Sequence, residues 1–363
     1  MIDDKIKVHI IYLTNLSYRE SIFNELGIQS SYNLIAGDRS PYVNINTNAN
    51  VNEYKFYKIK NFFLFKGRHR LTLQVPSIEV LKLVVKSKNA HFVFLGIDPH
   101  IITSLIYSFL LIIFGFNVSW WGHGKLGVGF VRFLRIGLFK LSNKILVYGH
   151  NSEVSKHNKI KSKVRVVGNC MNWSDYADQE KLFNTPKKES NKLKIIFSGR
   201  IVEAKKMEIL LDSFKMLNIP YEAKIIGEGD KKEDYINICK ENNLNVTFTG
   251  KKYGEEVKKT INWADVMVIP GKVGLSLVHA YGNGLPVIMH NEFSLHSPEY
   301  EVHTMNKDFL FSFGDSKDLT KKLENMFINR LFDNESKESI SNMNKYGYYP
   351  DLVAKKIVQS LKL

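Results

Sequence analysis

Arg200 and Lys205 stand five positions apart in Ser198-Gly199-Arg200-Ile201-Val202-Glu203-Ala204-Lys205, directly after the apolar run KIIF. Two cations on one strand-to-helix loop can converge on a diphosphate, Arg as a planar fork and Lys as a point charge. The same spacing suits a solvated basic loop. A second run, Pro270-Gly271-Lys272-Val273-Gly274-Leu275-Ser276-Leu277, again reads strand, tight loop, helix. Gly271 and Gly274 let main chain come close to a ligand, and first-turn N–H groups at Leu275 and Ser276 favour anionic oxygens. A plain turn fits this run equally well, and Lys272 is either a further phosphate contact or a solvated lysine. Gly227-Glu228-Gly229-Asp230 is a similar turn after a third strand. No GxxxxGK[ST] follows any strand, which argues against an ATPase. In the first half, Trp120-Trp121-Gly122-His123-Gly124 brackets one imidazole with glycines at a strand end. His100 follows Asp98-Pro99, and Tyr18 and Arg19 follow the first strand; ordinary packing also accounts for each of these.

Such residues need a scaffold that brings loops together. Residues 6–13 form an apolar strand and Ser17–Leu26 a helix opened by a Ser cap. Helices over Ser77–Ser87, Pro99–Phe114 and Phe130–Leu141 alternate with strands over His91–Leu95, Val118–Trp121 and Ile145–Tyr148. After the polar stretch Asp175–Asn191 a second series begins. Its strands are Lys194–Phe197, Ala223–Ile226, Val246–Thr249 and Val266–Ile269; its helices are Met207–Leu217, Glu233–Asn242, Val257–Ala264 and Leu275–Tyr281. Strands alternating with helices of this length imply parallel, doubly wound α/β sheets, whose ligands collect beyond the carboxyl ends of the strands. The expected division is 1–172 and 173–349, two Rossmann-like domains, with the last helix, 350–363, free to pack on either.

The chain has 363 residues, 44% hydrophobic and 24% charged, with 23 Gly and 9 Pro, enough to bury two cores and inconsistent with wholesale disorder. Two cysteines and no CxxC exclude a disulfide framework and a zinc ribbon and suit a reducing compartment. The opening MIDDKIKVHIIYL reads as a strand and not a signal peptide, so the expected location is cytoplasmic. Ile101–Val118 is apolar enough to approach a membrane span, but its position between Asp98-Pro99 and a strand favours a core helix.

At GRIVEAKKMEILLDSF, IIGEGD, VTFTGK, ADVMVIPG and VGLSLVHAYGNGLPVI the chain resembles the carboxyl-terminal domain of family 4 retaining glycosyltransferases of the GT-B fold. The segments keep the family's order across Lys194–Met289. In the first half, LTNLSYRESIFNEL is similar to the opening strand, acceptor-side loop and helix of members that glycosylate lipid-linked or polysaccharide acceptors. The resemblance implies two Rossmann-like domains facing a cleft, no cofactor, and a nucleotide diphosphate sugar as donor. It places Arg200 and Lys205 on the donor's diphosphate, with Gly199, Gly227, Gly229, Gly271, Lys272, Gly274, Leu275 and Ser276 around them. His123 would lie near the anomeric carbon, and Tyr18, Arg19 and His100 on the acceptor side. Prepositioned cations would stabilise charge building on the leaving phosphate. No Asp-x-Asp follows an apolar strand, so a metal-independent reaction is expected.

The family's pair of glutamates eight positions apart falls here on Gly271 and His279. His279 can still hydrogen-bond a ribose. Three readings follow: a divergent donor site, a carboxylate supplied by Glu299 or Glu301, or an inactive nucleotide-sugar-binding protein. A nucleotide-sugar 2-epimerase uses the same fold but needs cleft carboxylates.

The net charge of +15 is concentrated in the first half, where residues 1–168 carry 23 Lys and Arg against 9 Asp and Glu. Its densest part, Lys55–Arg70, interleaves cations with aromatics, as at an anionic membrane surface. A strand plus solvated loop also fits; a nucleic-acid groove lacks any accompanying motif. The expectation is therefore a glycosyltransferase of surface-polysaccharide assembly acting on a glycan, lipid-linked, at the inner membrane face, with no nucleic-acid partner.

Overall fold

A computed structural model describes residues 5–14, 19–38, 54–64, 71–96, 100–178, 190–252 and 254–363. The chain divides into two compact units, Met1–Asn172 with Tyr349–Leu363, and Trp173–Tyr348.

Unit 1 runs β1 (Lys7–Tyr12), α1 (Glu20–Gln29), β2 (Ser31–Gly37), β3 (Lys55–Leu64), β4 (Leu71–Val75), α2 (Ile78–Lys86), β5 (His91–Leu95), α3 (Ile102–Ile113), β6 (Asn117–Gly122), α4 (Gly129–Leu141), β7 (Lys144–Val147) and β8 (Val164–Val166). Among the described residues its sheet orders β4-β3-β2-β1-β5-β6-β7-β8. All neighbours are parallel except β3 and β4, whose antiparallel pairing departs from the all-parallel expectation. Side chains alternate across the sheet. Val93, Leu95, Trp121 and Leu146 pack with α1, whereas Phe92, Phe94, Trp120, Ile145 and Val147 pack with α3 and α4.

Unit 2 runs β9 (Leu193–Ser198), α5 (Met207–Met216), β10 (Tyr221–Ile226), α6 (Lys232–Glu241), β11 (Val246–Gly250), α7 (Glu255–Trp263), β12 (Val266–Ile269), α8 (Leu275–Tyr281), β13 (Val287–His290), β14 (Leu310–Phe311), α9 (Ser316–Ile328) and α10 (Phe332–Tyr346). Its parallel strands order β11-β10-β9-β12-β13-β14, the doubly wound arrangement with a reversal between β9 and β12. The strands VMVI and VIMH are wholly buried, as sheets covered on both faces require. The terminal helix α11 (Pro350–Lys362) returns to unit 1, where Val353, Ala354 and Ile357 pack in the α1 cluster and Gln29 Nε2 donates to the Asp351 carbonyl. Pro in its first turn needs no N–H partner there.

Several sequence expectations shift. The first helix starts at Glu20, with Arg19 at its cap and no side-chain cap bond; Ser17, the expected cap, lies outside the described residues. The helix expected from Pro99 begins at Ile102, and Pro99 also lies outside. The α2 cap does form, Ser77 accepting from the Val80 N–H. Of Lys55–Arg70, residues 55–64 are β3 and the remainder is outside the described residues. The polar stretch at 175–191 starts in a short 3₁₀ turn, Trp173–Asp175, and 179–189 lie outside. Among the described residues no helix is long and apolar enough to cross a membrane.

Candidate functional site

In unit 2 the reversal of strand order sends the chain after β9 and the chain after β12 in opposite directions, opening a crevice between their loops. Gly199 and Arg200 leave β9, a 3₁₀ turn spans Glu203–Lys205, and Lys206 adopts the left-handed region (φ 49°, ψ 43°) before α5. Non-glycine residues enter that region at a cost of roughly 1–2 kcal/mol, so surrounding contacts must enforce it. Lys206 is held by its own bonds to Glu203, N–H to the carbonyl at 3.1 Å and Nζ to Oε1 at 2.5 Å, and the residues before it are stitched to the next loop. Lys272 donates its main-chain N–H to the Ala204 carbonyl at 3.0 Å, and its own carbonyl accepts from Lys205 Nζ at 2.5 Å.

Gly271 is required by this junction. A Cβ there would lie 2.5 Å from the Ala204 oxygen and 2.6 Å from the Lys205 carbonyl carbon. The glutamate that the resembling family places at this position is thus sterically excluded. Gly227 and Gly229 have a similar explanation: their Cβ positions would fall 1.8 Å from the Gly199 oxygen and 1.9 Å from the Ile201 oxygen. Both serve main-chain packing of the β10 loop against the β9 loop. Gly274, in contrast, faces open space at the start of α8.

Lys205 is half-buried, and burial together with the Arg200 and Lys272 charges pulls its ammonium down from 10.5 to about 8. Glu299 opposes that shift. The Arg200 side chain is exposed beside the crevice and makes no hydrogen bond or ion pair among the described residues, while its carbonyl accepts from the Val202 N–H at 3.1 Å. Glu299 is almost wholly buried within the 3₁₀ turn Pro298–Val302, while Glu301 is half-buried. That turn is tied to the glycine loop, because Ser297 N–H donates to the Val273 carbonyl at 3.1 Å.

Two histidines absent from the sequence reading hold the loop from behind. Val273 N–H donates to His296 Nδ1 at 3.2 Å, which leaves Nε2 to carry the proton it donates to the His290 carbonyl at 3.0 Å. The two imidazoles lie 4.1 Å apart between centroids. Burial lowers the pKa of both, His290 to about 4, and the nearby Lys205 and Lys272 charges add to the lowering at His296. Their spacing of six residues, with a strand end between, carries no sequence signature.

His279 sits on the enclosed side of α8 and burial lowers it to about 4, so it is a neutral imidazole at physiological pH. Its Nε2 and the Ser276 Oγ, three residues apart on one helical face, are buried polar atoms without a hydrogen-bond partner among the described residues. Leu275 and Ser276 open that helix.

Unit 1 has its own reversal, between β1 and β5. A cavity of about 400 Å³ is lined there by Arg19, Trp121, His123, Lys125, Arg135 and Tyr148, with other residues. Arg19 is buried, donates through Nη2 to the Tyr148 hydroxyl at 2.8 Å, and lies 5.2 Å over the Trp121 ring. His123 is exposed and meets Tyr148 edge-on, 4.7 Å between centroids. The fold requires glycine at 124: at φ 66° a Cβ would press on Ser152, Val154 and Val147 within 2.9 Å. His100 lies outside the lining of this cavity; its carbonyl accepts from Thr72 N–H at 2.7 Å, tying the loop to β4. Tyr18 lies outside the described residues.

Comparison with known proteins adds to this geometry. Residues 178–348 match the family model described as "Glycosyl transferases group 1". The sulfoquinovosyl transferase SQD2 of Arabidopsis thaliana is 30% identical over 170 residues, 46% of this chain, and the match spans only 32% of that relative. Among solved structures, sucrose-phosphate synthase from Thermosynechococcus elongatus aligns with a TM-score of 0.70 at 13% identity, covering 97% of this chain and 98% of its own. The Anabaena HepE structure in complex with UDP aligns at 0.68 and 12%, covering 98% and 100%. At such identities these structures show a shared fold.

Proposed function

We propose, from the premise that this chain has the GT-B fold and that its residues 178–348 belong to the glycosyl transferases group 1 family, that it is a retaining glycosyltransferase. It moves a sugar from a nucleotide diphosphate sugar to a glycan acceptor. The observation carrying the donor side is the stitch of Ala204 and Lys205 to Lys272, which fixes one ammonium beside the exposed Arg200 at the strand-order reversal.

The chemistry follows from charge. As the bond between anomeric carbon and β-phosphate oxygen breaks, negative charge gathers on the leaving nucleoside diphosphate. The Lys205 ammonium meets it without reorganising, because it is already held, and the exposed Arg200 guanidinium swings onto it from beside the crevice. The family's second glutamate has no counterpart here: Ser276 Oγ and His279 Nε2 are closed off from solvent and reach no ribose diol without a shift of the start of α8. Glu299, buried within electrostatic reach of Lys205, is the carboxylate for the donor-sugar side, since Gly271 leaves no room for one. In unit 1, Arg19 and Lys125 make the acceptor half-site cationic, with His123 beside them, which suits an acceptor carrying phosphate. The acceptor is a lipid-linked glycan of the kind used in surface-polysaccharide assembly, handled at the cytoplasmic membrane face. The reaction is metal-independent, so chelation leaves turnover unchanged.

Incubation with nucleoside diphosphate sugars, with and without a lipid-linked glycan, tests the reading. A transferase releases nucleoside diphosphate and labels the acceptor only when acceptor is present. Conversion of the donor sugar without acceptor identifies an epimerase. Binding without turnover, whatever the acceptor, identifies an inactive nucleotide-sugar-binding protein.

A further inference from the structure

Helix α3, ITSLIYSFLLII, is built inside out. Ser104 and Ser108 are buried toward the sheet, with Ser104 Oγ donating to Gln74 Oε1 at 3.2 Å, whereas Phe109, Leu110 and Ile113 face outward. Water as the only outer neighbour would favour the reverse arrangement. Helices α2 and α4 share this layer, since Val84, Leu105 and Leu134 all pack in the cluster beneath it. They extend the same outward apolar character: Val85 is 78% exposed, and Phe130 and Phe133 are 76% exposed each. An apolar face of this extent on one side of a folded unit marks an interaction surface.

Charge selects its occupant. Residues 99–152 contain no Asp or Glu, and Arg132 and Lys140 are exposed among the outward residues of α4; on α2 the exposed Lys82 and Lys86 outnumber the one exposed acid, Glu79. A second copy laid on this face would bring like charges together, whereas an anionic bilayer offers phosphates to the cations and hydrocarbon to the rings. At 12 residues α3 is about 18 Å long, well short of the ~30 Å hydrocarbon core, so it lies in the interface and does not span it.

We infer that the outer face of α2, α3 and α4 docks unit 1 on an anionic lipid surface. The inference deepens the lipid-linked acceptor of the proposed function and rests on that reading for its biological role. It also relocates the membrane contact expected at Lys55–Arg70. In β3, Ile59 packs with α2 and Phe56 with the α1 cluster, so Lys58, Lys60, Phe62 and Leu64 lie on the opposite face of the sheet.

Co-sedimentation of the full chain with phosphatidylcholine vesicles, with and without about 30% phosphatidylglycerol at about 0.15 M salt, tests it. The wild type should pellet with the anionic vesicles. Phe130→Ser with Phe133→Ser, and separately Arg132→Glu with Lys140→Glu, should each weaken binding at least about tenfold while keeping the unfolding temperature. Lys58→Ser with Lys60→Ser should leave it unchanged. No preference for anionic vesicles, or loss confined to the β3 variant, overturns the proposal. So does a wild-type dimer that the Phe130→Ser/Phe133→Ser variant dissociates while neither form pellets. Vesicle binding needs no donor and nucleoside diphosphate binding needs no vesicle, so failure of one is distinct from failure of the other.

Discussion

Lys205 and Lys272, sixty-seven residues apart in the chain, are joined by a 2.5 Å hydrogen bond from an ammonium to a main-chain carbonyl. The bond leaves the ammonium's remaining protons available to a ligand and fixes its position before any ligand arrives. It also places the loop after β12 against the turn after β9, at the reversal where a doubly wound sheet binds ligands.

The lowered Lys205 gives opposite pH trends for binding and for stability. The group is a cation below about 8, so affinity for a nucleoside diphosphate should fall as pH rises through that value. Unfolded lysine stays protonated to about 10.5, so between about 8 and 10.5 the unfolded chain holds the extra proton. The Lys205 contribution therefore makes the ligand-free protein more stable as pH rises across that window. Titration calorimetry for binding and denaturant unfolding for stability should show the two trends diverging, and Lys205→Gln should remove both.

Gly271→Ala should destabilise unit 2 by roughly 1–3 kcal/mol, because the new Cβ meets main chain and not a flexible side chain. Gly271→Glu, which recreates the family's carboxylate, should be worse still and should not raise turnover. Thermal unfolding and initial rates check the pair; a tolerated, more active Gly271→Glu would contradict the steric account.

Neutral histidines make the fold acid-sensitive. His9, His279, His290 and His303 are each lowered by burial to about 4 from 6.5. The unfolded chain then binds more protons between those values, so their contribution is complete above pH 6.5 and is lost as pH falls toward and through 4. His296 shifts in the same direction, and its protonation would set an N–H against the Val273 N–H. Denaturant unfolding between pH 7 and 4 should show the decline, reduced in His290→Gln.

Arg19→Lys should raise the acceptor KM about tenfold or more while leaving nucleoside diphosphate affinity unchanged. A lysine loses the planar fork that reaches the Tyr148 hydroxyl and stacks over Trp121. Equal losses on the donor and acceptor sides would make Arg19 a folding residue.

Much of this was legible in the sequence because the strands of unit 2 are short, apolar and bounded by turns. KIIF, VMVI and the helix after the glycine loop read directly. β14 is two residues long, below any periodicity, and β2 and β13 lack the polar alternation that marks a half-exposed strand. The glycines are the instructive case. Gly271 reads as room for a ligand, and neighbouring main chain lies where its side chain would be. A sequence shows that a side chain is absent, not what fills the space. The apolar run of α3 gave its helix but not its orientation, since serines at 104 and 108 define a polar face without saying which side is wet. The Lys205–Lys272 bond, the left-handed Lys206 and the His290–His296 support depend on two loops meeting, which no local window contains.

The measurement that tests the central claim most directly is the unfolding of wild type, Arg200→Ala and Lys205→Ala with a panel of nucleoside diphosphates, followed by turnover with the corresponding sugars. One of them, at 100 times its dissociation constant, should stabilise the wild type by about 2.7 kcal/mol, and much less in either variant. Turnover should fall about a hundredfold in each variant, roughly 3 kcal/mol of lost charge stabilisation. Equal stabilisation of all three proteins, or undiminished turnover in both variants, would contradict the assignment of the diphosphate to Arg200 and Lys205.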